Sequence, residues 1–115
     1  MPVTTAADGT LLTLHVDGAI DSHLGASLQA AATAGLGDGK RRFLVNLQKA
    51  KQANSAGLEA LVRAATAVTQ GGARIALVGP GPLLADVLKA TRLDRRFAVY
   101  ESTEQAITGL RGGPA

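Results

Sequence analysis

The stretch Asn46-Leu47-Gln48-Lys49-Ala50-Lys51-Gln52-Ala53-Asn54-Ser55-Ala56-Gly57-Leu58 decides the fold of this chain and contains its most informative hydroxyl group. It follows a mostly apolar run, residues 42–45, that is typical of a strand, and it precedes a helical pattern that begins at Leu58. Ser55 is therefore predicted to lie on a loop between a strand and a helix, where backbone N–H groups and the helix dipole favour an anion. Spacing alone leaves two interpretations open: Ser55 carries a phosphate group, or Asn54 or Ser55 only caps the helix.

Outward from this stretch, strand and helix patterns alternate at short intervals. Strands are predicted at residues 3–6, 10–16, 43–47, 74–78 and 97–100, and helical patterns at 24–36, 58–68, 83–91 and 106–110. A turn at Asp8-Gly9 would pair the first two strands as a hairpin, Asp17-Gly18 would close the second strand, and residues 79–82 are predicted to form a turn.

The order of these elements predicts the α/β class, with one small domain and a mostly parallel sheet of four to five strands. An N-terminal hairpin and about four helices complete the expected fold. The domain is expected to span residues 1–115, with a core at about 3–111 and a tail at 112–115.

Composition narrows the function classes. The chain has 115 residues, of which 46% are hydrophobic, 18% charged and only 3% aromatic, so one core must be built from Leu, Val, Ile and Ala. Recognition of nucleic acid by base stacking needs exposed aromatic side chains. The three aromatic residues, Phe43, Phe97 and Tyr100, lie in apolar contexts that predict burial, so no direct nucleic-acid partner is expected. The net charge of +3 comes from two basic clusters, residues 40–51 and 92–96, of a kind that usually forms a solvated rim.

Other patterns argue against an enzyme or a metalloprotein. There is no cysteine, and His15 and His23 are too few and too far apart for a metal site. No pair of acidic residues, hydrolase motif or nucleotide-binding motif stands out, so catalytic residues and cofactors are predicted to be absent. No apolar run is long enough to insert into a membrane and no signal peptide is evident, which predicts a cytoplasmic protein.

Three short motifs occur in a characteristic order. Gly18-Ala19-Ile20-Asp21 precedes the first helix, and Asn46-Leu47-Gln48 and Asn54-Ser55-Ala56-Gly57-Leu58 bracket the central loop. In these motifs, and in most of the chain from Leu11 to Leu110, the sequence resembles the STAS domain family. Its typical pattern is Gly-x-Ile/Leu-Asp, then Asp-Leu-Ser, then Asp-Ser-Ser/Thr/Ala-Gly-Leu. Its best-known members are bacterial anti-sigma factor antagonists.

The resemblance implies a function in partner switching during transcription regulation. In such members the serine at the position of Ser55 is phosphorylated by a cognate anti-sigma factor, which is a serine kinase. The unphosphorylated antagonist binds that kinase and frees a sigma factor, and phosphorylation blocks the binding. The residues implied in partner binding, here called the docking surface, are Asp21, Ser22, His23, Ala53, Asn54, Ser55, Ala56, Gly57, Leu58 and Glu59.

The sequence departs from the family pattern where Asn46 and Asn54 replace the two aspartates. Ala56, which the pattern allows, lacks the second hydroxyl that many antagonists carry. The last motif is also similar to that of the small STAS subunit of lipid-transport ABC complexes, which binds an ATPase subunit and needs no phosphate. A sensory-assembly component, a binder of a small ligand or nucleotide, and a homodimer also remain open.

Overall fold

The computed structural model describes residues 3–92 and 97–112. Within them the elements are, in chain order, β1 (Val3–Asp8), β2 (Leu11–Ile20), α1 (Ser22–Gly37), β3 (Arg42–Ala53), α2 (Ser55–Gln70), β4 (Arg74–Val78), α3 (Pro82–Ala90), β5 (Ala98–Tyr100) and α4 (Thr103–Gly112). This alternation confirms the predicted α/β class, with five strands and four helices in the described part of the chain. None of the described helices combines the length and the apolar content required to cross a membrane.

The five strands form one mixed sheet in the order β1-β2-β3-β4-β5. β1 is antiparallel to β2 across a turn at Gly9, whose φ is 61°, and these strands form the predicted hairpin. The other three pairs are parallel, so the carboxyl ends of β2 to β5 lie at the same end of the sheet. Each of the helices α1, α2 and α3 begins at this carboxyl end and returns the chain to the amino end.

Three helices share one face of the sheet. Residues of α1, α2 and α3 form one core with alternate residues of β2 and β3, and Leu14, Phe43 and Leu61 within it are at most 1% exposed. The helix α4 lies on the other face, where Ala106 packs in a second cluster with Leu44 of β3. α4 contacts β3, β4 and β5. None of the described helices lies over β1 on the face that α4 covers.

The ends of β2 and β3 differ from the prediction. The sequence placed a strand end at residues 17–18 and a loop at residues 48–54. In the structure β2 continues to Ile20 and β3 to Ala53, and these two residues are partners in the parallel ladder. β3 pairs with β4 only from Arg42 to Asn46, so its second half extends past the end of β4 with β2 as its partner.

Two β-bulges explain why this extension lacks an alternating pattern. The register shifts once after His15 and once after Gly18, so that the 12 residues of β3 lie beside the 10 of β2. The residues of β3 that pack towards the main core here are Leu47, Ala50 and Ala53, which are three apart instead of two. A bulged strand therefore lacks the alternation of apolar and polar residues by which a strand is recognised in a sequence, and it resembles a polar loop.

The ends of the helices follow capping and turn residues. Asp21 precedes α1, and its Oδ1 accepts a hydrogen bond from the N–H of Leu24 at 2.9 Å. Pro82, the last residue of the predicted turn at residues 79–82, is the first residue of α3. Before α4, the N–H of Gln105 donates to Ser102 Oγ at 3.2 Å, which is one of the two bonds expected of the predicted capping box.

The first three members of the first basic cluster contact turns at the amino end of the sheet. Lys40 Nζ donates to the backbone carbonyl of Gly9 at 2.7 Å, and Arg41 Nη1 donates to that of Gly71 at 3.2 Å. Arg42 Nη2 donates to Thr10 Oγ1, in the β1–β2 turn, at 3.1 Å. These contacts hold the hairpin turn and the C-terminal end of α2 beside the start of β3. Of the second basic cluster, residues 93–96 lie outside the described part of the chain.

Candidate docking site at the carboxyl end of the sheet

The helices α1 and α2 begin side by side because the strands that lead into them end side by side. Ile20 and Ala53 are register partners at the ends of β2 and β3. One residue further, the N–H of Asn54 donates to the carbonyl of Ile20 at 3.1 Å. The segments 21–23 and 53–59, which contain the whole docking surface, are therefore adjacent at one end of the molecule.

Asn54, rather than Ser55, caps α2. Its Oδ1 accepts a hydrogen bond from the N–H of Gly57 at 2.8 Å, and its φ and ψ of −100° and 176° are those of an extended N-cap residue. Ser55 is thus the first residue of the helix, not a loop residue, and α2 begins three residues before the predicted start at Leu58. The Ser55 side chain is exposed, and its hydroxyl has no hydrogen-bond partner among the described residues.

Small residues bring the first turns of α1 and α2 into close contact. A Cβ added to Gly57 would overlap the carbonyl oxygen of Ile20, so only glycine fits where α2 crosses the end of β2. A Cβ added to Gly25 of α1 would lie 2.5 Å from the Cβ of Ala60 in α2. Gly25, Gly57 and Ala60 are all buried. The relative position of Ser22 and Ser55 is consequently fixed by backbone packing.

The structure divides the docking surface into side chains that a partner could touch and side chains that support the fold. The exposed members are Asp21, Ser22, His23, Asn54, Ser55, Ala56 and Glu59. Ala53 is half-buried, whereas Gly57 is buried and Leu58, at 8% exposure, packs in the main core.

The helix ends contribute a positive electrostatic potential at Ser55. Two helix N-termini meet here, and each carries a partial positive charge. Among the described residues, the N–H groups of Ser55 and Ala56 have no hydrogen-bond acceptor, because Asn54 takes only the N–H of Gly57 and, through its carbonyl, that of Leu58. A negatively charged group on Ser55 would be stabilised by these amides.

Asn46, the other departure from the family pattern, is remote from Ser55. It pairs with His15 on one side and Val78 on the other, and its Oδ1 accepts the N–H of Gln48 at 2.9 Å. It lines a depression of about 360 Å³ on the sheet, together with Thr4, His15, Val16, Asp17, Gln48 and Lys49. The structure therefore brings Asn54, but not Asn46, next to the candidate phosphorylation site.

The helix α3 carries one large apolar side chain outside the core. The sequence assigned Leu83, Leu84 and Leu88 to this helix without separating inward from outward positions. Leu84 and Leu88, four residues apart, are both 1% exposed, whereas Leu83, directly after Pro82 in the first turn, is 72% exposed.

The comparison with protein families identifies the domain. The model of the STAS domain family matches residues 1–106. The chain belongs to the STAS domain family. The match spans the sheet, the helices α1, α2 and α3 and all ten residues of the docking surface. No curated protein sequence matches the chain.

Solved structures of STAS domains share this fold. A protein of Thermotoga maritima aligns with a TM-score of 0.86 and 19% identity, over 95% of this chain and 94% of the other. An anti-sigma factor antagonist from Mycobacterium paratuberculosis aligns with a TM-score of 0.82 and 22% identity, over 95% and 92%. The antagonist SpoIIAA in its unphosphorylated form aligns with a TM-score of 0.81 and 16% identity, over 98% and 99%. SpoIIAA from Bacillus has also been solved in a phosphorylated form.

Proposed function

We propose that this STAS domain is an anti-sigma factor antagonist, a binding module without catalytic activity. In this proposal it binds an anti-sigma factor kinase through the docking surface and is released when Ser55 is phosphorylated. The observation that carries the proposal is the exposed Ser55 hydroxyl at the start of α2, which the fold does not use because Asn54 supplies the cap. Antagonists with the same fold, including one solved in a phosphorylated form, support it.

The local physics favours a switch that acts on the interface and not on the fold. A phosphoserine adds about −1.5 to −2 charges at neutral pH and three strong acceptor oxygens. At the first position of α2, the dipole and the amides of Ser55 and Ala56 would stabilise this charge. The neutral Asn54 side chain places no carboxylate beside it. The helix would persist while the contact surface gains a bulky, hydrated anion, which is costly to bury against a partner.

The test is intact-mass analysis after incubation with ATP and each ATP-binding anti-sigma factor encoded in the source genome. The wild-type protein is expected to gain the mass of one phosphoryl group with one of these kinases, and Ser55→Ala to gain none. Ser22→Ala is the matched control, because Ser22 is also an exposed serine at the first position of a helix, α1. It should still gain one group.

Two outcomes would contradict this proposal. A mass gain that persists in Ser55→Ala and disappears in Ser22→Ala would move the site to the neighbouring helix. No gain with any kinase would remove the switch. In a parallel binding assay, the phosphorylated protein is expected to bind the kinase at least about tenfold more weakly than the unphosphorylated protein.

A second function is favoured by the run Ser55-Ala56-Gly57-Leu58. This run resembles the motif of STAS subunits that bind the ATPase of a lipid-transport ABC complex without a phosphate. That function predicts co-purification with an ABC ATPase subunit, and it predicts the same yield for Ser55→Asp. A sharp loss of yield in Ser55→Asp would argue for a phosphate-sensitive interface instead.

A further inference from the structure

The strand β1 forms one edge of the sheet, with β2 on its inner side only. It pairs with β2 over all of Val3–Asp8 without a register shift, so the edge is regular for about 20 Å. Alternate backbone N–H and C=O groups of such a strand point outwards. Within residues 3–92 and 97–112, no group outside the β1–β2 ladder hydrogen-bonds to the backbone of β1. This edge can therefore accept a further strand.

β1 also lacks the features that usually prevent pairing at an edge. Natural edge strands are often very short, or they carry lysine, proline or a bulge. β1 has six residues, VTTAAD, without lysine or proline, and it has no bulge. The strand at the opposite edge, β5, has only three residues in the described part of the chain and contacts α4. Strand pairing is consequently favoured at β1 and not at β5.

The helix beside β1 is unusual in its lack of charge. The 16 residues of α1 include no Asp, Glu, Lys or Arg, whereas each of the other described helices contains two charged residues. A helix with one face in water normally carries charged side chains on that face. In α1, the exposed positions after His23 are Ala26, Ala30, Thr33, Ala34 and Gly37. The outer surface of this helix is therefore small and uncharged.

The uncharged surface of α1 extends to the side of β1. α1 contacts β1 and β2, and α2 contacts β3 and β4, so the flank of α1 opposite α2 lies on the side of β1. Gly25 and Leu36 face α2. Ser27 and Ala34 are two positions away from these residues and project about 200° from them, towards β1. The Ser27 hydroxyl donates to the carbonyl of His23 at 3.3 Å, so its polar group is used within the helix.

We infer that β1 is an interface between two copies of this chain, in which β1 pairs antiparallel with β1 of the second copy about a two-fold axis. The pairing joins the two five-stranded sheets into one continuous sheet. It places both α1 helices on the same face of that sheet, with their uncharged flanks towards each other. Since the copies run in opposite directions, their docking surfaces lie at opposite ends of the dimer. The inference goes beyond the proposed function and does not depend on it.

The faces of β1 determine the register of this pairing. Residues directly opposite each other in an antiparallel pair point to the same face of the sheet. Thr5 lies opposite Leu14 of the main core, so it shares the face of α1 with Val3 and Ala7. A two-fold axis at Thr5 pairs this residue with its own copy and Val3 with Ala7. It also keeps the two Asp8 carboxylates about 20 Å apart, which avoids repulsion between them.

The size of the interface predicts a weak dimer. A stable complex typically buries ~800 Å² on each partner, which is about an eighth of the 6398 Å² accessible surface of this chain. One strand edge and one helix flank, each about 20–24 Å long, bury less than this. We expect a dimer Kd of roughly 10–100 µM.

Sedimentation equilibrium of the purified full chain between about 5 and 500 µM measures this self-association. The wild type is expected to change from monomer to dimer across the range. Thr5→Lys places two like charges together at the axis, and it should raise the Kd at least about fivefold. Ala98→Lys is the matched control, because it adds the same charge at an exposed position of the other edge strand, β5. It should change the Kd less than about twofold.

A cysteine variant tests the register. The chain contains no cysteine, so Thr5→Cys carries a single thiol. At the axis its Cβ lies about 4.5–5.5 Å from that of the second copy, which is within reach of a disulfide after small adjustment. With oxidised glutathione, Thr5→Cys is expected to form a covalent dimer at least about tenfold faster than Ala98→Cys.

Three outcomes would overturn the inference. They are a wild type that stays monomeric at the highest concentration, a dimer whose Kd is unchanged in Thr5→Lys, and equal rates of disulfide formation in the two cysteine variants. A monomeric wild type would leave the edge of β1 to a strand of another protein. None of these results changes the proposed function, because intact-mass analysis measures phosphorylation of Ser55 separately.

Discussion

The two ends of the sheet use their polar side chains in different ways. At the amino end, Lys40, Arg41 and Arg42 donate to carbonyl or hydroxyl groups of turns and of the C-terminal end of α2. At the carboxyl end, the capping side chains Asp21 and Asn54 satisfy amides of their own helices. The serine that follows each cap is exposed.

This difference follows from the direction of the helices. In a parallel α/β fold, helix N-termini gather at the carboxyl ends of the strands and helix C-termini at the amino ends. Cations at the amino end complement the negative C-terminal ends and stabilise the fold. At the carboxyl end one residue per helix is enough for capping, so the next position is free to meet a partner. We expect substitutions to affect stability at both ends but partner binding only at the carboxyl end.

The largest effect is expected where the two helices meet. Gly57→Ala should lower the free energy of unfolding by about 3 kcal/mol, because the added methyl group would overlap the carbonyl oxygen of Ile20 and backbone atoms cannot easily move aside. Urea denaturation measures the change. Gly37→Ala is the control, since a Cβ at this last residue of α1 meets no atom within 4 Å. A loss of similar size in both variants would contradict the close packing of α2 on β2.

A smaller effect is expected at the cap of α2. Asn54→Ala should lower the free energy of unfolding by about 1 kcal/mol, because the N–H of Gly57 loses its acceptor. Asn54→Asp keeps the acceptor and adds a negative charge at a helix N-terminus. Its free energy of unfolding should therefore equal that of the wild type or exceed it by up to about 0.5 kcal/mol. Thermal denaturation of the three proteins checks this order. If Ser55→Ala were as destabilising as Asn54→Ala, Ser55 would share the capping role.

The smallest effect is expected at the amino end. Arg41→Ala should lower the free energy of unfolding by about 0.5–1 kcal/mol, because the carbonyl of Gly71 loses a charged donor at the end of α2. The effect should decrease in 1 M salt. Binding of the anti-sigma factor should not change.

Arg63→Ala provides a surface comparison for Arg41→Ala. Arg63 forms an exposed pair with Glu59 at 3.8 Å, which should contribute only about 0.3 kcal/mol. If Arg41→Ala weakened partner binding as strongly as substitutions in the docking surface, this would contradict the expectation that only the carboxyl end of the sheet contacts the partner.

Most of the architecture could be predicted from the sequence because its patterns are simple. β4 was predicted at residues 74–78 and lies there, since a continuous apolar run between glycines has few alternatives. The second half of β3 could not be predicted, because two bulges change the spacing of its inward residues from two to three. The start of α2 was predicted too late for a related reason: Ser55 and Ala56 belong to the helix but are exposed, so they add nothing to an apolar pattern.

The candidate site could be predicted only in part. The sequence located Ser55 between a strand and a helix, but left open whether Asn54 or Ser55 forms the cap. The side-chain hydrogen bond that decides this joins the N–H of Gly57 to Asn54 Oδ1, and it requires the extended backbone angles of Asn54, which the residue pattern does not specify.

The assignment of the cap to residue 54 has an evolutionary consequence. Folding requires little of residue 55 beyond a side chain that suits the first turn of a helix, and serine and alanine both do. Under the proposed function, a single codon change from serine to alanine would turn a regulated protein into a permanently competent one. The reverse change would restore control, and neither form would pass through a poorly folded ancestor.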